Sequence, residues 1–353
     1  MKEKIKFLIP LLFLMILVTG INVFAATPEA EENQVLNLVN KERAAVGAPA
    51  LQTTDELQAV ADIRARELVS DFSHFRPDGT SCFTALDGTL IGQLAIYAGE
   101  NIAIGYGNAE SVMNGWMNSP GHKSNILDAD YTHIGIGCYE EGGIRYWVQM
   151  FVTRYPYTGM LENSAGWWYL TDGEIDRSYE GMAQNEYGWW YIKNGTVDWS
   201  FTGMAQNPYG WWYLTNGAVD WNYEGMAENP MGWWYIKNGT VDWNFTGMAQ
   251  NPYGWWYLTN GGVDWYYEGM AQNLYGWWYI SNGTVDWNYQ GMAENIYGWW
   301  YISNGTVNWN YTGMAENPYG WWYLTNGGVD WSFTGQIEQG GRIFDVVNGY
   351  AGI

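Results

Sequence analysis

The tetrapeptide Gly-Trp-Trp-Tyr begins at Gly166, Gly188, Gly210, Gly232, Gly254, Gly276, Gly298 and Gly320, a fixed period of 22 residues. A unit this short cannot bury its own apolar face and must stack on its neighbours, so the period dictates a repeat architecture. One unit reads Gly210-Trp211-Trp212-Tyr213-Leu214-Thr215-Asn216-Gly217-Ala218-Val219-Asp220-Trp221-Asn222-Tyr223-Glu224-Gly225. Asn-Gly between two aromatic runs supplies the paired positive φ angles of a type I′ turn, which predicts a β-hairpin per unit. On the second strand Val219, Trp221 and Tyr223 alternate with Asp220 and Asn222, predicting one apolar face. On the first strand both faces are apolar, Trp211 and Tyr213 on one and Trp212 and Leu214 on the other. Residues 156–335 are therefore expected to form an all-β repeat solenoid of eight stacked β-hairpins. Arg177 replaces the second-strand tryptophan in the first unit and Gly335-Gln336-Ile337 departs from Gly-Met-Ala at the end, as capping units do. Residues 336–353 then form a C-terminal cap.

Aromatic side chains beyond those needed for a core predict slots between neighbouring hairpins. Such slots suit a sugar ring or a quaternary ammonium, the latter by cation–π attraction of roughly 0.5–2 kcal/mol per ring. The candidate ligand-binding residues are Trp189, Trp211, Trp233, Trp255, Trp277, Trp299 and Trp321, with Tyr213 and Tyr257. Asp198, Asp220 and Asp242 would favour a cation further. The competing expectation is a spacer in which every tryptophan is core. Charge narrows the ligand: the chain carries a formal net charge of −22, and from Gly166 onward its only basic residues are Arg177, Lys193, Lys237 and Arg342. Like charge repels nucleic acid, anionic lipid and other polyanions, which leaves a neutral or cationic partner.

The chain opens with Lys2, Lys4 and Lys6, an apolar run from Phe7 to Val18, and small residues ending Val23-Phe24-Ala25, the three-part pattern of a secretory signal peptide over residues 1–25. Export permits oxidation, so Cys82 and Cys138 are expected to form a disulfide. No later segment is apolar and long enough to cross a membrane.

Residues 26–155 have a mixed pattern. Val35, Leu36 and Val39 mark a helix ended by Gly47 and Pro49. Thr53 and Glu56 form a capping box for a second, with Leu57, Val60, Ala61, Leu68, Val69 and Phe72 on one face. A third carries Val112, Met113, Trp116 and Met117 and stops at Ser119-Pro120. Ile134, Ile136 and Cys138 alternate with glycines, and Ile144 to Phe151 reads as a strand after Gly142-Gly143. Helices followed by antiparallel strands predict an α+β domain. Among three histidines, His74 and His122 lie beside turn residues, and with Glu100 they offer a divalent-metal or acid/base set; surface or helix-capping histidines are the alternative. His133 opens a strand and reads as structural.

Two resemblances follow from these residues. Units of the form Gly-Trp-Trp-Tyr-x-x-Asn-Gly-x-Val-Asp-Trp over Tyr157 to Gly335 resemble the cell-wall-binding repeats of Gram-positive bacteria, and are loosely similar to choline-binding and glucan-binding hairpin repeats. This implies non-covalent attachment to a wall or surface polysaccharide through a neutral or choline-like cationic group. His74-Phe75-Arg76-Pro77-Asp78-Gly79, Gly99-Glu100-Asn101-Ile102, Gly115-Trp116-Met117-Asn118-Ser119-Pro120-Gly121-His122 and Tyr146-Trp147-Val148-Gln149-Met150-Phe151 resemble the CAP superfamily of cysteine-rich secretory, antigen 5 and pathogenesis-related 1 proteins, also called SCP domains. That resemblance implies an α-β-α sandwich with a cleft of two histidines and two acids, in which zinc or another divalent cation binds in some members. His74, Glu100 and His122 map onto it directly, and the fourth residue is Asp78 or Asp87, with Asp78 preferred.

The resulting expectation is a secreted CAP-domain protein at the cell wall or cell surface, not an enzyme, whose cleft binds a metal or small ligand. No nucleophile–base spacing is evident. The alternatives are a metal-dependent hydrolase of wall components with Glu100 as general base, and an adhesin for host glycans.

Overall fold

Thr27 caps the first helix, its side-chain oxygen accepting the Ala30 N–H, and Pro28 occupies the first turn, where no amide donor is missed. That helix, α1, spans Pro28–Ala45 in the computed structural model, which describes residues 27–352. The signal peptide expected over residues 1–25 lies outside the described residues. Helix α2 spans Asp55–Glu67 and is capped by Thr54, whose hydroxyl accepts the Leu57 N–H at 3.2 Å, one residue later than the expected Thr53 box. Glu56 instead accepts the N–H groups of Leu90 and Ile91 at 2.9 and 3.2 Å. It thereby satisfies open donors at the start of α3, Leu90–Gln93. Because α2 ends at Glu67, Val69 and Phe72 lie beyond it and are exposed rather than on its apolar face.

Strand β1 (Ala95–Ile104) follows, then α4 (Ala109–Met117), α5 (Pro120–Leu127), β2 (His133–Glu141) and β3 (Ile144–Arg154). Pro120 both ends α4 and opens α5 as a first-turn proline, so His122 sits in a helix rather than a loop. The strands form an antiparallel sheet in the order β1-β3-β2, with Gly142-Gly143 at φ 59° and 79° turning β2 into β3. Register sorts the two faces. Asn101, Gln149, Trp147, Cys138 and Phe151 face the core under α1 and α4, while Glu100, Ile102, Val148, Met150 and Val152 face α2. The result is the α-β-α sandwich expected. Helix α2 lies against bare backbone, since a Cβ on Gly135 would stand 2.1 Å from the Leu57 carbonyl oxygen.

The expected disulfide is absent: Cys82 and Cys138 are both free and buried. Cys82 starts a 3-10 turn (Cys82–Leu86) beside Glu100 on the α2 face, and Cys138 faces Trp147 on the opposite side of the sheet. The sheet stands between them. Burial lifts their thiols to about 11 and about 12. The chain divides into two units, Met1–Tyr155 and Pro156–Ile353. No helix among the described residues is long and apolar enough to cross a membrane.

In the second unit each repeat contributes three strands, for example Gly203–Asn207, Gly210–Thr215 and Ala218–Val219, to one continuous antiparallel sheet of 24 strands. The Asn-Gly turns have the expected paired positive φ, 51° and 73° at Asn216 and Gly217. The strand after that turn is only two residues long, however, because Asp220 bends the chain. Its Oδ1 accepts the Asn222 N–H at 3.0 Å and its Oδ2 the Thr215 hydroxyl at 2.9 Å. Trp221 is consequently 60 % exposed instead of lying on an apolar strand face. The longer pairing is with Gly203–Asn207, a segment without aromatic residues, and Asn207 locks that turn by accepting from Tyr209 N–H and the Trp212 indole N–H at 2.8 and 2.9 Å.

Stacking resolves the two apolar faces of the Gly-Trp-Trp-Tyr strand. Trp189 and Tyr191 of one unit pack on Trp212 and Leu214 of the next, and Tyr191 N–H donates to Gly217 O at 2.8 Å. At the end, Gly335–Gln339 pairs with Arg342–Val346, and Asn348-Gly349 keeps the 22-residue phase of the turns as a divergent last unit. Trp321 N–H donates to Gly352 O and Tyr323 N–H to Gly349 O, so the cap supplies the contacts a further repeat would.

Candidate functional site

Glu100 is the centre of the first unit's cleft. It lies on β1, an edge strand, and is 6 % exposed. Its Oε1 accepts from Arg64 Nε at 2.8 Å and its Oε2 is 2.8 Å from His74 Nδ1, with Arg64 Nη2 at 3.4 Å. Arg64 is fully buried on α2 and also donates to Glu67 at 2.7 Å and to the Ser73 carbonyl at 3.0 Å. Glu67 in turn is held by Arg76 at 2.6 Å. Alternating charges Arg76, Glu67, Arg64 and Glu100 thus lead to His74, whose side chain is 55 % exposed. The buried ions are all paired, which is what makes their burial tolerable.

On the other side of β1, Asn101 is fully buried. Its Nδ2 donates to the His122 carbonyl at 3.0 Å and to Gln149 Oε1 at 2.9 Å, and its Oδ1 accepts from Asn125 at 2.8 Å. These amides fasten α5 along the open edge of β1 and place His122 near His74. Burial first, and then the neighbouring His74, lower the His122 pKa from its ordinary value.

Of the four residues expected to converge, His74 and Glu100 are in contact, and His122 is an electrostatic neighbour of His74. Asp78 folds back on Thr80, accepting its N–H at 2.9 Å and its hydroxyl at 2.6 Å, and is exposed; Asp87 is also exposed, just after the 3-10 turn. The Thr80 hydroxyl holds the Asp78 carboxyl below its usual range. The group of potential ligand atoms that lie within 4.8 Å of one another among the described residues is His74, Cys82 and Glu100. Cys82 was assigned to a disulfide, and nothing in its spacing separated the two roles. His133 opens β2, is buried, and bonds Thr132 through Nδ1.

A divalent ion fits this donor set only in part. Both Glu100 oxygens are committed to Arg64 and His74, and Cys82 is a protonated thiol. What remains is two imidazoles, with Glu100 behind His74 as the carboxylate that orients a ligating histidine and leaves its Nε2 outermost.

The array forms clefts between units. One is lined by Tyr169, Tyr179, Met182 and Trp189, with Gln206 and Pro208 opposite, and encloses about 540 Å³; four repeats later Tyr257, Tyr267, Met270 and Trp277, with Glu294 and Ile296, enclose about 530 Å³. Tyr169 and Tyr179 stack at 3.8 Å, and Trp189 meets Tyr209 edge-on at 6.0 Å. The candidates Trp189, Tyr257 and Trp277 therefore line clefts, and Trp211, Tyr213, Trp233, Trp255, Trp299 and Trp321 occupy the equivalent places in other units. All nine are partly buried against the hairpin cores. Asp198 and Asp220 serve first as turn fasteners: Ser200 and Asn222 donate their N–H groups to them at 3.0 Å, and Asp242 does the same with Asn244. A second row, Trp199, Trp221, Trp243, Trp265, Trp287, Trp309 and Trp331, is 56–63 % exposed and was not foreseen as surface.

Geometry defines a two-part molecule, an α-β-α sandwich with a histidine–glutamate cleft followed by an open solenoid of aromatic hairpins. Its first unit is a CAP domain, residues 36–151 matching the cysteine-rich secretory protein family, and its second is built of choline-binding-type repeats, with seven matches to that repeat between residues 178 and 330. The uncharacterized protein YkwD of Bacillus subtilis (strain 168) is 38% identical over 127 residues, 35% of this chain and 48% of that protein. The uncharacterized membrane protein YlbC of the same organism is 32% identical over 127 residues, 35% of each. The chain thus spans less than half the length of these curated relatives. A solved extracellular protein containing a SCP domain from Bacillus anthracis str. Ames is 26% identical with a TM-score of 0.32, covering 36% of this chain and 44% of that one.

Proposed function

We propose that this is a secreted cell-surface protein that its repeats hold on choline-containing wall polymers, while the CAP cleft presents a metal- or small-ligand-binding histidine pair outward. The observation that carries the array is the recurrence, four units apart, of the same tyrosine–methionine–tryptophan cleft. An aromatic floor beside carboxylates suits a quaternary ammonium, and the acidic array repels polyanions. Repetition multiplies weak contacts into firm attachment.

In the cleft, His74 and His122 would hold a divalent ion, which when bound supplies a Lewis acid at the cleft mouth. Glu100 positions His74 and does not act as a base, because Arg64 and His74 already occupy both of its oxygens. This favours binding over hydrolysis.

The test of the array is retention of the full chain on purified walls with choline as competitor. Elution by choline supports the assignment. Retention that only a polyanion, or only a host glycan, relieves would refute it. Zinc titration of the full chain with His74→Ala and His122→Ala tests the cleft, and binding indifferent to both changes removes the histidine pair.

A further inference from the structure

The two clefts described above are lined by equivalent residues four repeats apart, and they differ in polar residues at their rims. The floor is the same, and so is the nearer amide, Gln184 in one and Gln272 in the other. Opposite the floor, Gln206 of the first cleft becomes Glu294 in the second. This position directly precedes the asparagine that locks each turn. In the first unit it is Glu162, and in the seven that follow it is glutamine at Gln184, Gln206, Gln250 and Gln272 and glutamate at Glu228, Glu294 and Glu316. All seven side chains are exposed.

A second difference acts in the same direction. In the first cleft the carboxylate of Glu180 has Lys193 Nζ at 3.3 Å and accepts the Tyr191 hydroxyl at 3.1 Å. Its charge is therefore offset. The residue equivalent to Lys193 at the second cleft is Ser281, and no lysine or arginine lies between Lys237 and Arg342. The two clefts thus share a shape and differ in charge.

We propose that the residue before the turn asparagine sets the charge preference of each cleft, so that the array presents two classes of site. Clefts walled by glutamate favour a quaternary ammonium over its uncharged isostere more strongly than clefts walled by glutamine, where the aromatic rings alone supply the preference. The inference rests on the assignment of the clefts to a quaternary ammonium. Its physical basis is that glutamate and glutamine have the same shape, so exchanging them leaves the aromatic floor in place and changes only the Coulomb attraction at the rim. At a solvated rim that attraction is modest and screened by salt, on the order of three- to fivefold in affinity per site.

Isothermal titration of the full chain with choline and with 3,3-dimethylbutan-1-ol, its uncharged isostere, measures the preference directly. One variant carries Glu228→Gln, Glu294→Gln and Glu316→Gln, and another carries Gln184→Glu, Gln206→Glu, Gln250→Glu and Gln272→Glu. The preference for choline is expected to fall roughly three- to fivefold in the first and to rise by a similar factor in the second, with both shifts shrinking in high salt. The tryptophan circular dichroism of both variants should match the parent, since every exchange is at an exposed position. If choline binds the parent and its preference is unchanged in both variants, the two-class inference is overturned while the ligand assignment stands. If neither compound binds the parent, the assignment itself fails and this inference falls with it.

Discussion

Replacing Glu100 by glutamine isolates the charge at the heart of the CAP cleft. The amide keeps the shape and one acceptor oxygen, so Arg64 Nε retains its bond while the guanidinium loses one of its two compensating charges, now 2.8 Å away. The nitrogen of the new amide is a donor facing His74 Nδ1, which must switch from donating to accepting. Arg64 has no exposed side-chain surface and keeps only Glu67 at 2.7 Å. Removing one partner of a buried pair outright costs about 3–5 kcal/mol; with Glu67 and one hydrogen bond retained, about 2–3 kcal/mol is expected. For a domain of this size that lowers Tm by roughly 10 °C. Hydrogen exchange of β1 peptides in the full chain reads the first unit alone, because the array contributes other peptides. His74→Ala, which removes only the exposed partner, should cost less than about 1 kcal/mol. A Glu100→Gln loss below about 0.5 kcal/mol, beside a larger one for Glu67→Gln, would refute the reasoning by showing that Glu67 alone neutralises Arg64.

Other consequences can be checked as directly. Burial lifts the Glu32 carboxyl from 4.5 to about 7, against the Cys138 N–H bond that lowers it. Between those values the native state holds the extra proton, so stability of the first unit falls as pH rises from about 4.5 to 7, by about 1–2 kcal/mol after allowance for solvent screening. Melting at pH 5 and pH 7.5 should show the loss, and Glu32→Gln should flatten it. Gly217 sits at φ +73° with room for no Cβ, the nearest atom being Asp198 O at 2.6 Å. Gly217→Ala should therefore destabilise the adjoining units by at least about 2 kcal/mol, seen as lost amide protection around Tyr191 and Gly217. Both thiols should resist iodoacetamide in the native protein and both should react after unfolding without reductant; a mass indicating one disulfide would contradict their placement on opposite sides of the sheet.

The CAP unit was legible where chain-local chemistry decides the outcome. Gly142-Gly143 marked the β2–β3 turn, and the apolar spacing of Val112, Met113 and Trp116 marked α4. Its misses were cases of long-range competition. Glu56 left its expected capping box for the start of α3, and Pro120 proved to be a beginning as well as an end. Strand β1 carries Gly99-Glu100-Asn101, polar residues that no strand pattern predicts. They are admitted because Arg64 neutralises one side and the Asn125, Gln149 and His122 contacts satisfy the other. For the same reason the cleft was only half legible: spacing nominated His74 and Glu100, but the buried Arg64 that fixes their roles stands 36 residues before Glu100 in no readable pattern with it, and nothing set Cys82 apart from Cys138.

In the array the Asn-Gly turns and the period were plain, whereas the assignment of strands was not. Aromatic density pointed to the segment after Asn-Gly as the hairpin partner. The partner is instead Gly203–Asn207, because Asp220 accepts the Asn222 N–H and ends the other strand after two residues. That substitution has a functional consequence. Turning the chain at Asp220 leaves the Tyr223 ring free to fold back and stack on Tyr213 at 3.5 Å, with its hydroxyl donating to Met226 O at 2.8 Å. The same stack two units before and two units after, Tyr169 on Tyr179 and Tyr257 on Tyr267, forms a wall of each described cleft. The bend thus brings the stacked rings together, and in the seventh unit Asn308 makes it in place of an aspartate, with Tyr301 and Tyr311 stacked at 3.6 Å. The aspartates therefore shape the clefts mainly through the backbone they hold.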